Sequence, residues 1–249
     1  MLLIGSSSRA LPSRTVSVHG QPYMLREYIG AAPRHGTYVD GNEANDNALA
    51  QGFLVTQPPG SVTRPHFHET HQFQVFVAGS GRFGKKPALP ITVQYASGHT
   101  PYGPIAAGDD GVQYFTLRQR WDPGAKYMPA MRDRLIRGRQ RQHLVSGIAV
   151  SEPSVLRART GVTLESFIGP ESDGLLGAII RLGPGAEIAA PDSSSGGGQY
   201  HVVVNGSLMH GSQPLPLWSC QFADTGEGEL GVRAGEQGLE LLVLRFPID

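Results

Sequence analysis

The chain has 249 residues, with 21 basic residues balanced by 21 acidic ones and a single cysteine. Balanced charge gives no bulk attraction to nucleic acid, and one cysteine excludes an intrachain disulfide and any multi-cysteine metal site. With 33 Gly, 19 Pro and only 17% charged residues, the composition suits many short strands joined by tight turns and is poor for long helices.

The opening Met1-Leu-Leu-Ile-Gly-Ser-Ser-Ser has too short an apolar run for a signal peptide, and no later run spans a membrane. A soluble cytoplasmic protein is the expectation. Residues 52–57, 72–78, 91–95 and 112–118 are β-rich and broken by Gly and Pro. The stretch 121–142 is different, holding Arg132, Arg134, Arg137, Arg139 and Arg141 with little apolar content. It reads as a solvated connector with one short helix around 128–136. Strand-like segments then resume at 177–182, 199–204, 217–222 and 239–246. Cys220, in the third of these, reads as a buried thiol.

These two series match each other. Gln72-Phe-Gln-Val-Phe-Val-Ala-Gly79-Ser80 falls over Gln199-Tyr-His-Val-Val-Val-Asn-Gly206-Ser207, a separation of 127 residues. At the same separation Val93-Gln94-Tyr95-Ala96 falls over Cys220-Gln221-Phe222-Ala223, and Gly111 to Arg118 over Gly238 to Arg245. Upstream, Pro58-Pro59-Gly60 matches Gly183-Pro184-Gly185 at an offset of 125, so the second copy carries two extra residues within 193–198. A constant offset over three segments implies a duplicated domain.

The chemistry-bearing residues gather in the first copy. His66 and His68 lie two apart on a strand-like segment entered through Pro65, so both imidazoles point to one face, as a metal site needs. The run Gly60, five residues, His66-x-His68, three residues, Gln72, six residues, Gly79 resembles the first conserved motif of the cupin superfamily. That motif normally has Glu where this chain has Gln72.

The resemblance implies an all-β bicupin, two tandem double-stranded β-helix (jelly-roll) barrels. Residues 1–120 would form the N-terminal barrel with the metal site, 121–145 the connector, and 146–249 a degenerate C-terminal barrel. It further implies one divalent transition metal, Fe favoured with Mn, Ni, Zn or Cu as alternatives, held by His66, His68, a third histidine and the residue at 72. The third ligand is read as His99 reached through a shifted turn. The usual slot falls nearer Tyr102, which otherwise serves as a proton donor or substrate contact. Gln72 is a neutral ligand or a hydrogen-bonding catalytic residue, and Gln74 on the same face is its substitute. His71 is placed on the turn beside the mouth.

The second copy lacks this chemistry. Pro191-Asp-Ser-Ser-Ser-Gly-Gly-Gly198-Gln199 replaces the His-x-His segment, Gly226 and Glu229 stand opposite His99 and Tyr102, and His201 is a lone inward histidine. A metal-dependent enzyme acting on a small organic molecule is the leading expectation, with a dioxygenase-like oxidoreductase favoured. The alternatives are a non-catalytic small-molecule-binding or storage-type bicupin, and a metal-dependent isomerase or decarboxylase. Neither nucleic acid nor membrane is an expected partner; a second copy of the chain, forming a homodimer, is.

Overall fold

The structure, a computed structural model, describes residues 1–138 and 140–248. Two compact units emerge. One is Pro12–Ile148; the other runs from Ala149 onward and includes Met1–Leu11. Among the described residues no helix is long and apolar enough to cross a membrane.

In the first unit a nine-stranded antiparallel sheet follows the order Gln142–Ser146, Thr92–Ala96, Gln72–Phe83, Ile105–Arg118, Gln51–Gln57, Gln21–Ile29 and Ser13–Val18, with two short strands off this path. In the second an eight-stranded sheet runs Leu2–Gly5, Cys220–Ala223, Gln199–His210, Gly231–Arg245, Leu176–Leu182 and Val162–Ile168, again with two strands off the path. Each unit closes on its own apolar core. Phe53, Val55, Phe76 and Tyr114 belong to the first, and Ile180, Val203, Leu241 and Val243 to the second.

The duplication is realised strand by strand. Gln72–Phe83 and Gln199–His210 begin on the paired glutamines and have 12 residues each. Ile105–Arg118 and Gly231–Arg245 both end on the paired arginines. These strands run past the glycines at which the sequence reading stopped them. Gly79 and Gly206 have φ of +72° and +66°, and a Cβ there would lie 2.2 and 2.0 Å from the carbonyl oxygens of Gly111 and Gly238. The glycines therefore carry bulges that let two strands pass closely, where the sequence pattern had read ends.

The division into units departs from the expected 1–120, 121–145 and 146–249. Leu2–Gly5 pairs antiparallel with Cys220–Ala223, Leu3 opposite Phe222, so the first residues complete the second unit's sheet. The expected connector is built into the first unit: Lys126–Tyr127 pairs with His66–Phe67, and Gln142–Ser146 pairs with Thr92–Ala96. The expected short helix is a 3₁₀ turn at Arg132–Arg134, since the segment has no apolar stripe to bury. Arg134 ion-pairs with Asp40 on the surface at 2.5 Å. Arg139 lies outside the described residues.

Candidate site in the first barrel

His66 and Phe67 form a strand of two residues paired with Lys126–Tyr127. Alternation sends Phe67 to one face and His66 and His68 to the other, where their rings stand 5.2 Å apart at nearly right angles. Tyr102 bridges to this strand, exchanging backbone hydrogen bonds with His66 at 2.9 and 3.1 Å, and its ring lies 4.5 Å from that of His66. Tyr102 thus occupies the third position that the resemblance gives to a histidine.

His99 is not brought to the pair. Its backbone N–H donates to the His68 carbonyl at 2.7 Å, its φ is +56°, and its ring packs 5.7 Å from Phe67, on the opposite face from His66 and His68. There its Nδ1 accepts from the backbone N–H of Ile136 at 3.3 Å. The shifted turn expected to swing His99 inward is absent, because the tight turn that reverses the chain before Tyr102 holds the imidazole outward. His71 shares a 2.8 Å hydrogen bond with the Tyr95 hydroxyl.

At the centre stands Arg118, a residue that the sequence reading did not single out. It ends the strand Ile105–Arg118 and is 1% exposed. Its Nε and Nη2 donate to Gln72 Oε1 at 3.0 and 2.6 Å, and its Nη1 donates to Gln51 Oε1. Nη2 also lies 3.1 Å from both ring nitrogens of His68. The amide of Gln72 turns its nitrogen the other way and donates to the Tyr102 hydroxyl at 2.5 Å.

The counter-charge is Asp122, fully buried, whose Oδ1 takes a 2.6 Å hydrogen bond from His68 Nδ1 and a 2.9 Å bond from the Gly124 N–H. Its Oδ2 accepts from the backbone N–H of Glu69 at 2.9 Å. A carboxylate can only accept here, so Nδ1 carries the proton and Nε2 is the lone pair facing Arg118. Burial opposes ionisation of Asp122, but His68, Arg118 and these hydrogen bonds hold its carboxyl well below the usual carboxylate range. Burial and Arg118 push His68 down to about 4, while burial and His68 push His66 down to about 3, so both imidazoles are neutral near pH 7. Burial pushes the Tyr102 phenol well up, leaving it a neutral acceptor for Gln72.

Arg118, Gln72 and the two histidines floor a cavity of about 70 Å³ whose walls are Val16, Val18, Leu25, Phe53 and Val55. His66, His68, Gln72, Gln74, Thr116 and Arg118 face it, and the exposed His35 marks its mouth. Lys126, also buried, sits outside this lining, 3.0 Å from Glu69 and 4.0 Å over the Tyr38 ring.

The residues as placed do not fit the expected metal. Gln72 Oε1 and His68 Nε2, two of the expected donors, both accept N–H groups from a fixed guanidinium, so the lone pairs a divalent cation would need are already taken. His99 is on the wrong face. Among the described residues no group of three or more His, Cys, Asp or Glu side chains is placed to hold a metal ion. The signal for Arg118 was present: Val112, Tyr114, Thr116 and Arg118 share one face of a strand, putting a charge in line with inward-facing residues.

Among its described residues the second unit holds no comparable site. His201 occupies the place of Gln74, fully buried between Gln199 and Gln221, whose amides lie 3.0 and 2.8 Å from its ring nitrogens. Arg245, the counterpart of Arg118, instead braces two loops through the carbonyls of Gly174 and Asp192 at 2.8 and 2.9 Å.

No protein-family model matches the sequence, and no curated protein of similar sequence was found. Solved structures do resemble the fold. A putative dioxygenase from Nostoc punctiforme aligns over 98% of this chain and 78% of its own, at 11% identity and a TM-score of 0.61. Oxalate decarboxylase from Lactobacillus farciminis, in a formate complex, aligns over 99% of this chain and 86% of its own, at 12% identity and 0.57. A bacterial pirin from Escherichia coli, in complex with nickel(II), aligns over the whole of both chains at 10% identity and 0.55. These are cupin-family proteins, and at such identities the likeness shows the fold: a tandem pair of cupin barrels.

Proposed function

We propose that this bicupin binds a small organic molecule in its N-terminal barrel without a metal, a guanidinium standing where cupin barrels are expected to hold a divalent cation. The observation that carries this reading is Arg118, buried and hydrogen-bonded to Gln51, Gln72 and His68 at once. A guanidinium cannot be deprotonated in a protein, so the positive charge is permanent. Unlike a metal, it offers no vacant coordination position and accepts no electron. Its work is to fix Gln72, which lines the cavity, and through Gln72 the Tyr102 hydroxyl, which lies outside the lining. That arrangement suits recognition of a ligand more than activation of oxygen, and it supports the small-molecule-binding alternative over the dioxygenase-like one.

The test is metal content. Protein produced with Fe, Mn, Ni and Zn supplied together should carry far less than one equivalent of any of them, and replacing His66 and His68 with Ala should leave that figure unchanged. A full equivalent that disappears in the double variant would overturn the proposal. As a positive control, Arg118→Met combined with Gln72→Glu removes the resident cation and supplies the motif's carboxylate, and should create metal binding. The metal-dependent oxidoreductase remains the competing reading because the His66 and His68 rings do share the cavity. Metal-stimulated oxygen uptake by the unaltered protein would favour it.

A further inference from the structure

Most polar groups that line the cavity are already partnered. Tyr114 donates its hydroxyl to Gln57 Oε1 at 3.4 Å, Thr63 shares a 3.1 Å bond with the Tyr23 hydroxyl, and Tyr127 donates to the Gly36 carbonyl at 3.1 Å. Two groups differ. His66 gives its Nδ1–H to the Arg64 carbonyl at 2.8 Å, which leaves Nε2, on the ring's other edge, as a bare acceptor. Gln74 is 3% exposed, and its Oε1 is buried with no hydrogen-bond partner among the described residues. Across the sheet Gln94, paired with Gln74 in register, likewise leaves both amide atoms without a partner.

A buried amide oxygen with nothing to accept from costs about 1–3 kcal/mol of desolvation, so such a group inside a cavity calls for an occupant that satisfies it. The charge of the site narrows the occupant. Arg118 is balanced by Asp122 through His68, so the floor of the cavity is close to neutral. A carboxylate ligand would find no excess positive charge, and its oxygens, which only accept, would face the bare lone pair of His66. A hydroxyl both donates and accepts, and so satisfies an imidazole nitrogen and an amide together. The size narrows it further. About 70 Å³ is half of the roughly 150 Å³ that holds a benzene ring in an engineered protein cavity, which favours a short chain over an aromatic ring.

We propose that the cavity is selective for a short, neutral, hydroxyl-bearing molecule. Its hydroxyl engages His66 Nε2 and the Gln74 amide, and its carbon chain lies against Val16, Val18, Leu25 and Phe53. This rests on the metal-independent reading and names the ligand class for the same site.

The experiment titrates the whole protein with linear alcohols of three to five carbons and with the carboxylates of the same chain length, followed by NMR. Alcohols should bind saturably and carboxylates should not. Gln74→Met and His66→Phe should each weaken the alcohols about tenfold, as expected for one hydrogen bond of about 1.4 kcal/mol. Thermal unfolding of each variant checks that the barrel is intact. In a barrel that has lost its fold, the intact protein's preference for alcohol over carboxylate still decides the case. Carboxylates binding as tightly as alcohols, alcohols binding folded variants unchanged, or neither series binding would each overturn the inference. Metal analysis of the same samples separates the two failures. Metal on His66 and His68 sinks the underlying reading, whereas metal-free protein that ignores alcohols sinks only the ligand class.

Discussion

Arg118 shows how much can hang on one side chain. Its removal leaves Asp122 as an uncompensated buried carboxylate and strips Gln51 and Gln72 of their donors. Arg118→Met should therefore destabilise the first unit by about 3–5 kcal/mol, read from urea unfolding. Arg118→Lys should rescue little, because one ammonium cannot fork to three partners in different directions. The histidines set a pH dependence. His66, His68 and His201 are held at about 3, 4 and 4, below their ordinary 6.5, chiefly by burial. Below pH 6.5 the unfolded chain takes up protons that the folded chain refuses, so stability falls with pH until those lower values are reached. Asp122, held low in the folded state, extends the loss below its ordinary 3.8. Each such buried histidine contributes about 1.4 kcal/mol per pH unit, and the partly exposed His19 and His99 of the first unit are lowered as well, so between pH 6 and 5 the first unit should lose stability at least twice as steeply as the second. The two tryptophans, Trp121 in the first unit and Trp218 in the second, allow the units to be followed separately by fluorescence.

At the scale of strands and turns, the His-x-His pair and the repeat were legible because both are local or periodic: a spacing of two on one strand, and a fixed offset along the chain. What escaped was long-range. Arg118 and Asp122 meet His68 from 50 and 54 residues away, and no pattern around position 68 announces them. His99 was misplaced because its conformation, φ +56°, decides which face it joins, and sequence spacing does not carry that information. The bulge glycines give the sharpest test at this scale. Gly79 and Gly60 both have positive φ, but a Cβ at Gly60 meets nothing within 4 Å, while one at Gly79 would strike the Gly111 carbonyl. Gly60→Ala should cost about 1–2 kcal/mol, the left-handed backbone term alone. Gly79→Ala adds the collision and should exceed about 4 kcal/mol, with Gly206→Ala doing the same to the second unit. Equal costs at Gly60 and Gly79 in thermal unfolding would show that the strands do not pass as closely as described.

At the scale of the whole molecule, the two units have separate cores and distinct sheets, yet the chain does not visit them in simple succession. Met1–Leu11 belongs to the second, with Leu2–Gly5 as an outer strand of its sheet. Deleting residues 1–11 should therefore lower the unfolding midpoint reported by Trp218 and leave that reported by Trp121 in place. A fragment of residues 12–148 should fold alone, while one beginning at residue 149 should need a peptide of residues 1–11 added in trans. This arrangement also has a consequence for biosynthesis. Leu3 leaves the ribosome 219 residues ahead of Phe222, its partner across the sheet. At ~5–20 residues per second that is a wait of roughly 10–45 s. Throughout it the first barrel can complete itself, while the apolar Leu2-Leu3-Ile4 tether dangles from it as an unclaimed strand, open to chaperones, proteases and the same segment of neighbouring nascent chains.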